Sequence, residues 1–140
     1  MAAGYSGTPL PQKLGIKEGH QLALLASPDG FEKTLGALPL GVTVRETVAG
    51  KPLDVVVLFV TARKQLEKQL AAVRKAMAPA CGFWVAWPKK ASGLVTDMTE
   101  QVVRDVALPT GLVDNKVCAI DETWSGLRLV IRVELRAKAK

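Results

Sequence analysis

The chain of 140 residues predicts a three-layer α/β domain built on a mostly parallel sheet of about six strands that ends in an antiparallel hairpin. Three observations predict it. The apolar runs Val55–Val60 and Phe83–Trp87 have the length and continuity of strands buried on both faces, as the inner strands of parallel sheets are. Between them, Ala62 to Ala78 repeats apolar residues at Leu66, Leu70, Val73 and Met77, the spacing of one helix face. The last two strand-like segments are separated by Glu122–Gly126, too short a link for anything but an antiparallel connection.

Taken in order, residues 1–7 read as a flexible arm and 8–133 as one domain. Thr8-Pro9 reads as a helix opening, with Thr8 as the N-cap and Pro9 in the first turn. Gly15 fits the left-handed position after the last turn. The first strand is expected over Gln21–Ala26. Ser27-Pro28-Asp29-Gly30 fits a type I turn, with Pro second and Gly fourth. A short helix over Phe31–Leu35 follows, broken by Gly36 and Pro39-Leu40-Gly41. A weak second strand, Val42–Glu46, comes next, and residues 47–53 then lead to the strongest strand, Asp54–Val60. That link is shorter than the dozen or so residues a parallel crossover usually takes. Either an extended loop runs back along the sheet or the two strands pair as a hairpin; the first arrangement is preferred.

Pro79 ends the long helix, and Pro88 stops the strand Phe83–Trp87. Asp97 and Glu100 stand three apart as a capping-box-like pair opening the next helix. Its inner face is Met98, Val102, Val103 and Val106, with Glu100 and Arg104 paired outside. Pro109 and Gly111 terminate it. The closing hairpin joins Lys116–Asp121 to Leu127–Val133, and 134–140 reads as a disordered basic tail.

Composition narrows the chemistry. The longest apolar run is far short of the roughly 20 residues that span a bilayer. The opening MAAGYSGTPLPQ has neither the basic start nor the apolar core of a secretory signal, so a cytoplasmic setting is expected. Cys81, Cys118 and His20 are the only cysteines and histidine, too few for a structural zinc site, and no metal is expected. The net charge is +6, yet two segments, 62–78 and 132–140, together carry +7. The remainder is close to neutral, so the expected nucleic-acid surface would be the basic helix and tail. Clustered cations suit phosphates, but no aromatic interleaves them for base stacking, and a solvated face is preferred.

In an open parallel sheet, ligands bind beyond the carboxyl ends of the strands. That edge is expected to gather Lys89, Lys90, Ser92, Asp121, Glu122 and Trp124 with Ser27, Asp29 and Thr61. Two lysines can hold a small anion, a carboxylate can act as base, and Trp124 can stack on a ring. Trp124 is expected at the tip of the hairpin loop, folded over WPKKASG with its indole N–H on a polar partner. The acids Asp121 and Glu122 are expected opposite Lys89 and Lys90. A dinucleotide or S-adenosyl cofactor would need a glycine-rich first turn. Here the turn holds only Gly30, Pro28 removes an amide donor, and Glu46 is the single candidate acid after the second strand. No cofactor is therefore expected. His20 and the start of the strand at Cys81 fall on the opposite edge, so neither pairs with a nucleophile near Lys89. Cys118 reads as a small core residue.

From Asp54 onward the order of elements resembles the second half of a class I methyltransferase-like Rossmann domain, whose last strand also runs antiparallel between its neighbours. The resemblance implies a Rossmann-like sheet with its first half shortened by about one strand and one helix. In wording, GYSGTPL with KLGI, WVAWPKKASG and GLVDNKVCAIDETWSGLRLVIR resemble an uncharacterised family of small bacterial proteins, domain of unknown function 3052, from Gly4 to about Arg132. That likeness implies no activity or site residues. The expected function is a non-catalytic module that binds a small ligand at the strand ends. The alternatives are a degenerate nucleotide- or S-adenosylmethionine-type transferase and a nucleic-acid-associated protein.

Overall fold

The computed structural model describes residues 8–136. The expected arm, 1–7, and the tail residues 137–140 lie outside the described residues. Strands β1 (Gln21–Leu25), β2 (Thr43–Arg45), β3 (Leu53–Phe59), β4 (Met77–Pro88), β5 (Leu112–Ala119) and β6 (Trp124–Ile131) form one sheet in the order β2-β1-β3-β4-β6-β5. The first four run parallel, and β6 is antiparallel to both β4 and β5. β2 and β3 flank β1 on opposite sides, so residues 46–52 run back across the sheet and the preferred arrangement holds.

The alternation of the strands sorts side chains into two cores. Val56, Leu58, Phe83, Val85 and Trp87 face α3 (Arg63–Ala76) and α4 (Glu100–Ala107), where Leu66, Leu70, Val73, Val103 and Ala107 meet them. Leu22, Leu24, Val55, Val57, Phe59 and Trp84 face the other way, onto Leu14 of α1 (Leu10–Leu14) and Phe31 and Leu35 of α2 (Phe31–Leu35). Residues Cys81 to Pro88 of β4 are all buried, as a strand covered on both faces requires. Trp84 is fully buried and its indole N–H donates to the Leu14 carbonyl at 3.0 Å, which ties α1 to the sheet.

Several boundaries differ from expectation for local reasons. α1 starts at Leu10, with Pro9 rather than Thr8 in the cap position. The turn after β1 closes from the Pro28 carbonyl to the Phe31 N–H at 3.1 Å, with Gly30 at φ 80° and ψ 5°. A left-handed third residue belongs to a type II turn, one position later than the expected type I. Asp97 does not open α4. Thr99 does, accepting from Val102 N–H at 3.1 Å, while Asp97 accepts from Arg63 N–H at 2.8 Å and so caps α3 instead. Thr99 immediately precedes the helix, whereas Asp97 lies beside another helix's unpaired donors. Met77 has extended backbone and begins β4, since Pro79 drives the residues before it out of the helical region. The final hairpin turns through residues 120–123, a tighter link than expected, and Trp124 is the first residue of β6. The expected tail begins instead as a helical turn, α5 (Val133–Arg136), with Leu135 against the α3/α4 core and Arg136 Nε bonded to the Ile131 carbonyl at 2.8 Å.

Candidate functional site

The carboxyl edge of the sheet is formed by the ends of β1, β3 and β4 and by the β5–β6 turn. Lys89 N–H donates to the Thr123 carbonyl at 2.8 Å, so the WPKKASG loop and the hairpin turn are joined, as the sequence predicts. The polar groups there are mostly occupied by that joint. Ser92 Oγ donates to the Lys89 carbonyl at 2.7 Å and accepts from Leu94 N–H at 3.1 Å. Asp121 Oδ1 accepts from Thr123 and Trp124 N–H, both at 2.8 Å. That is an Asx-type closure, and it explains the tighter hairpin. Thr61 is committed as well: its N–H donates to Gln65 Oε1 at 2.7 Å and its carbonyl accepts from Thr96 Oγ1 at 2.6 Å. Among the described residues no ion pair joins Lys89 or Lys90 to Asp121 or Glu122. Lys90 and Glu122 are exposed, where water solvates each charge without a partner.

Trp124 is half-buried and sits opposite Pro88 in the ladder, so it does lie against the end of β4. It turns inward. Its ring meets Phe59 edge-on at 5.1 Å, and Phe59 meets Phe31 edge-on at 4.8 Å. The relay Phe31–Phe59–Trp124 closes the second core beneath this edge. The expected polar partner of the Trp124 indole N–H is absent among the described residues.

Ser27 and Asp29 belong elsewhere on the edge. They line a cleft of about 340 Å³ with Ala26, Gly30, Glu32 and Glu46. A neighbouring cleft of about 470 Å³ shares Ala26 and Glu46 and continues over Leu25, Val48, Leu58, Val60, Gln65 and Lys68. Glu46 directly follows β2 and lines both. Ala26, at φ 56°, is the only left-handed non-glycine among the described residues, a conformation that costs about 1–2 kcal/mol for an L side chain. It turns the chain sharply at the point where the clefts meet. The nine expected site residues therefore divide into a hairpin group around Lys89, a cleft group of Ser27 and Asp29, and Thr61, which is bonded to Gln65 and Thr96.

The remaining reactive side chains are quiet. Cys81 is buried, and desolvation, with Asp54 adding and Arg128 opposing, pushes its thiol up to about 12. Cys118 is half-buried, with its thiol also raised by burial, so neither is a thiolate near neutral pH. His20 lies at the opposite edge, where Nδ1 accepts from Lys17 N–H at 3.1 Å. On α3, Arg63 pairs with Glu67 at 2.9 Å and Arg74 Nε bonds the Thr110 carbonyl at 3.4 Å. No helix among the described residues is long and apolar enough to cross a membrane.

No family model matches the chain, and no curated protein matches it in sequence. Its fold matches solved structures. A SAM dependent methyltransferase from Aquifex aeolicus aligns with a TM-score of 0.58 and 14% identity over 86% of this chain and 87% of that one. A putative methyltransferase from Thermoplasma acidophilum aligns at 0.58 and 10% over 90% and 75%. Magnesium protoporphyrin IX methyltransferase from Synechocystis PCC 6803, with bound SAM, aligns at 0.55 and 8% over 87% and 74%. The chain has a methyltransferase-like Rossmann fold.

Proposed function

We propose that the chain is a degenerate S-adenosylmethionine-type protein that binds a neutral or cationic nucleoside at the carboxyl ends of β1, β2 and β3. Glu46 carries this reading. It is an acid immediately after the second strand, it lines both clefts, and its two oxygens suit a ribose diol. Leu25, Val48, Leu58 and Val60 offer an apolar bed beside it for a base. The fold fits the same reading, since structural neighbours of this chain are described with bound SAM. The turn that would cradle a ligand's carboxylate or phosphate is different in kind. Pro28 has no amide donor, Phe31 N–H is spent on the Pro28 carbonyl, and Asp29, Glu32 and Glu46 make the cleft acidic. Anions are therefore disfavoured in this cleft, which lies apart from Lys89 and Lys90.

Titration calorimetry tests this with adenosine, S-adenosylmethionine and AMP. Adenosine and S-adenosylmethionine should bind with affinities on the order of 1 mM, and AMP should not. Glu46→Gln should weaken both at least about tenfold. AMP binding that Glu46→Gln weakens as it weakens adenosine, an unaffected Glu46→Gln variant, or no saturable heat with adenosine or S-adenosylmethionine would overturn the proposal.

A further inference from the structure

At the other end of the sheet, on the face that α1 covers, lies a cleft of about 450 Å³ whose charged lining is Lys13, Lys17, Lys116, Arg128 and one acid, Asp54. The acid is engaged: Asp54 Oδ2 accepts from Gln21 N–H at 2.8 Å. Lys116 and Arg128 are direct partners across the β5–β6 ladder, and residues directly opposite one another share a face of the sheet. Leu127 and Leu129 point into the α3/α4 core, so Arg128 and Lys116 project together to the other side. Like charges so placed destabilise a ladder. Neither has a hydrogen bond or ion pair with another described residue.

The sheet makes room for this arrangement. A Cβ on Gly82 would lie 2.6 Å from Arg128 Nε and 2.8 Å from its Nη2, so the guanidinium rests across β4 where no side chain stands. Burial lowers the Arg128 pKa, with Arg136 acting the same way and Cys81 opposing, which marks a cation partly stripped of water without a counter-charge. Asn115 lines the same cleft with an amide. His20 accepts through Nδ1, so Nε2 is the ring nitrogen that presents an N–H donor.

We infer that this cleft binds a diphosphate group, free or as part of a nucleoside diphosphate, with the part-buried Arg128 at its floor and the exposed Lys116 and Lys17 at its rim. The planar guanidinium fork matches two phosphate oxygens. An excess of cations over a single engaged acid suits a multiply charged anion, and the volume is that of a small-ligand site. Bound there, the anion relieves the repulsion between Lys116 and Arg128. This site is separate from the nucleoside cleft and does not depend on it.

Calorimetry on the full chain at low ionic strength, with inorganic pyrophosphate and with ADP, tests the inference. Pyrophosphate should bind in one saturable step. ADP binding tighter than pyrophosphate assigns the group to a nucleoside diphosphate; equal affinity assigns the free anion. Lys116→Ala, at an exposed position where misfolding is not a concern, should weaken pyrophosphate at least about tenfold. Arg128→Lys, which keeps the charge but loses the fork, should do the same. The double variant Lys64→Glu, Lys75→Glu on α3, at exposed positions outside both clefts, should leave affinity within about twofold, since it lies on the other layer. No saturable heat with pyrophosphate, or equal weakening by the α3 and cleft variants, would overturn the inference.

Discussion

The two ends of the sheet use polar residues in opposite ways. At the carboxyl end, the Asp121 and Ser92 side chains bond to nearby backbone and the Thr61 backbone is held by the Gln65 and Thr96 side chains, and an aromatic relay lies beneath them. At the amino end, Lys116 and Arg128 face each other with no partner among the described residues. Satisfied groups hold loops in place. Unpaired like charges raise the energy of the fold unless something external neutralises them. Beside WPKKASG the groups that hold backbone are Ser92 and Asp121, whereas Lys116 and Arg128 at the amino end have no such engagement among the described residues.

Substitutions at four positions sharpen this contrast. Phe59 is buried and links both ring contacts of the relay, so Phe59→Ala should cost about 3–5 kcal/mol in chemical denaturation. Trp124 is only half-buried and should cost less, about 1–3 kcal/mol as Trp124→Ala; equal costs would place Trp124 fully in the core. Asp121→Ala strands two backbone donors in a tight turn and should cost about 1–2 kcal/mol. Asp121→Asn should recover much of that, because the amide oxygen still accepts. At the amino end the sign should reverse. Lys116→Ala should leave stability unchanged or raise it by a few tenths of a kcal/mol at low ionic strength, the gain fading as salt screens the pair. A loss of more than about 1 kcal/mol there would mean that Lys116 holds the fold.

Much of the architecture was legible because it depends on short-range periodicity. The stripe Leu66, Leu70, Val73 specified α3, and the run Phe83–Trp87 specified the buried end of β4, which the fold extends back to Met77. The site was legible only in part. Ser27 and Asp29, expected beside the lysines, line a separate cleft with Glu46, the one acid after the second strand. The lysine–carboxylate pairing was not found, because a turn aspartate satisfies nearby N–H groups before it reaches across to a solvated lysine.

What the sequence by itself determined is the set of elements and their inward faces, since alternation and helical spacing are properties of neighbouring residues. What only the tertiary structure decided is which distant residues meet. Asp97 caps a helix that begins 34 residues earlier, and no local pattern encodes that. Lys13, Lys17, Lys116 and Arg128 all lie outside the two basic segments, in the part of the chain whose charges nearly cancel. Summed along the chain they are invisible. The antiparallel insertion of β6 between β4 and β5 sets Arg128 against Lys116 and over Gly82, and α1, held by Trp84, brings Lys13 and Lys17 to the same cleft. Charge acts through space over a few ångströms, so only the fold could turn a neutral stretch of sequence into a basic site.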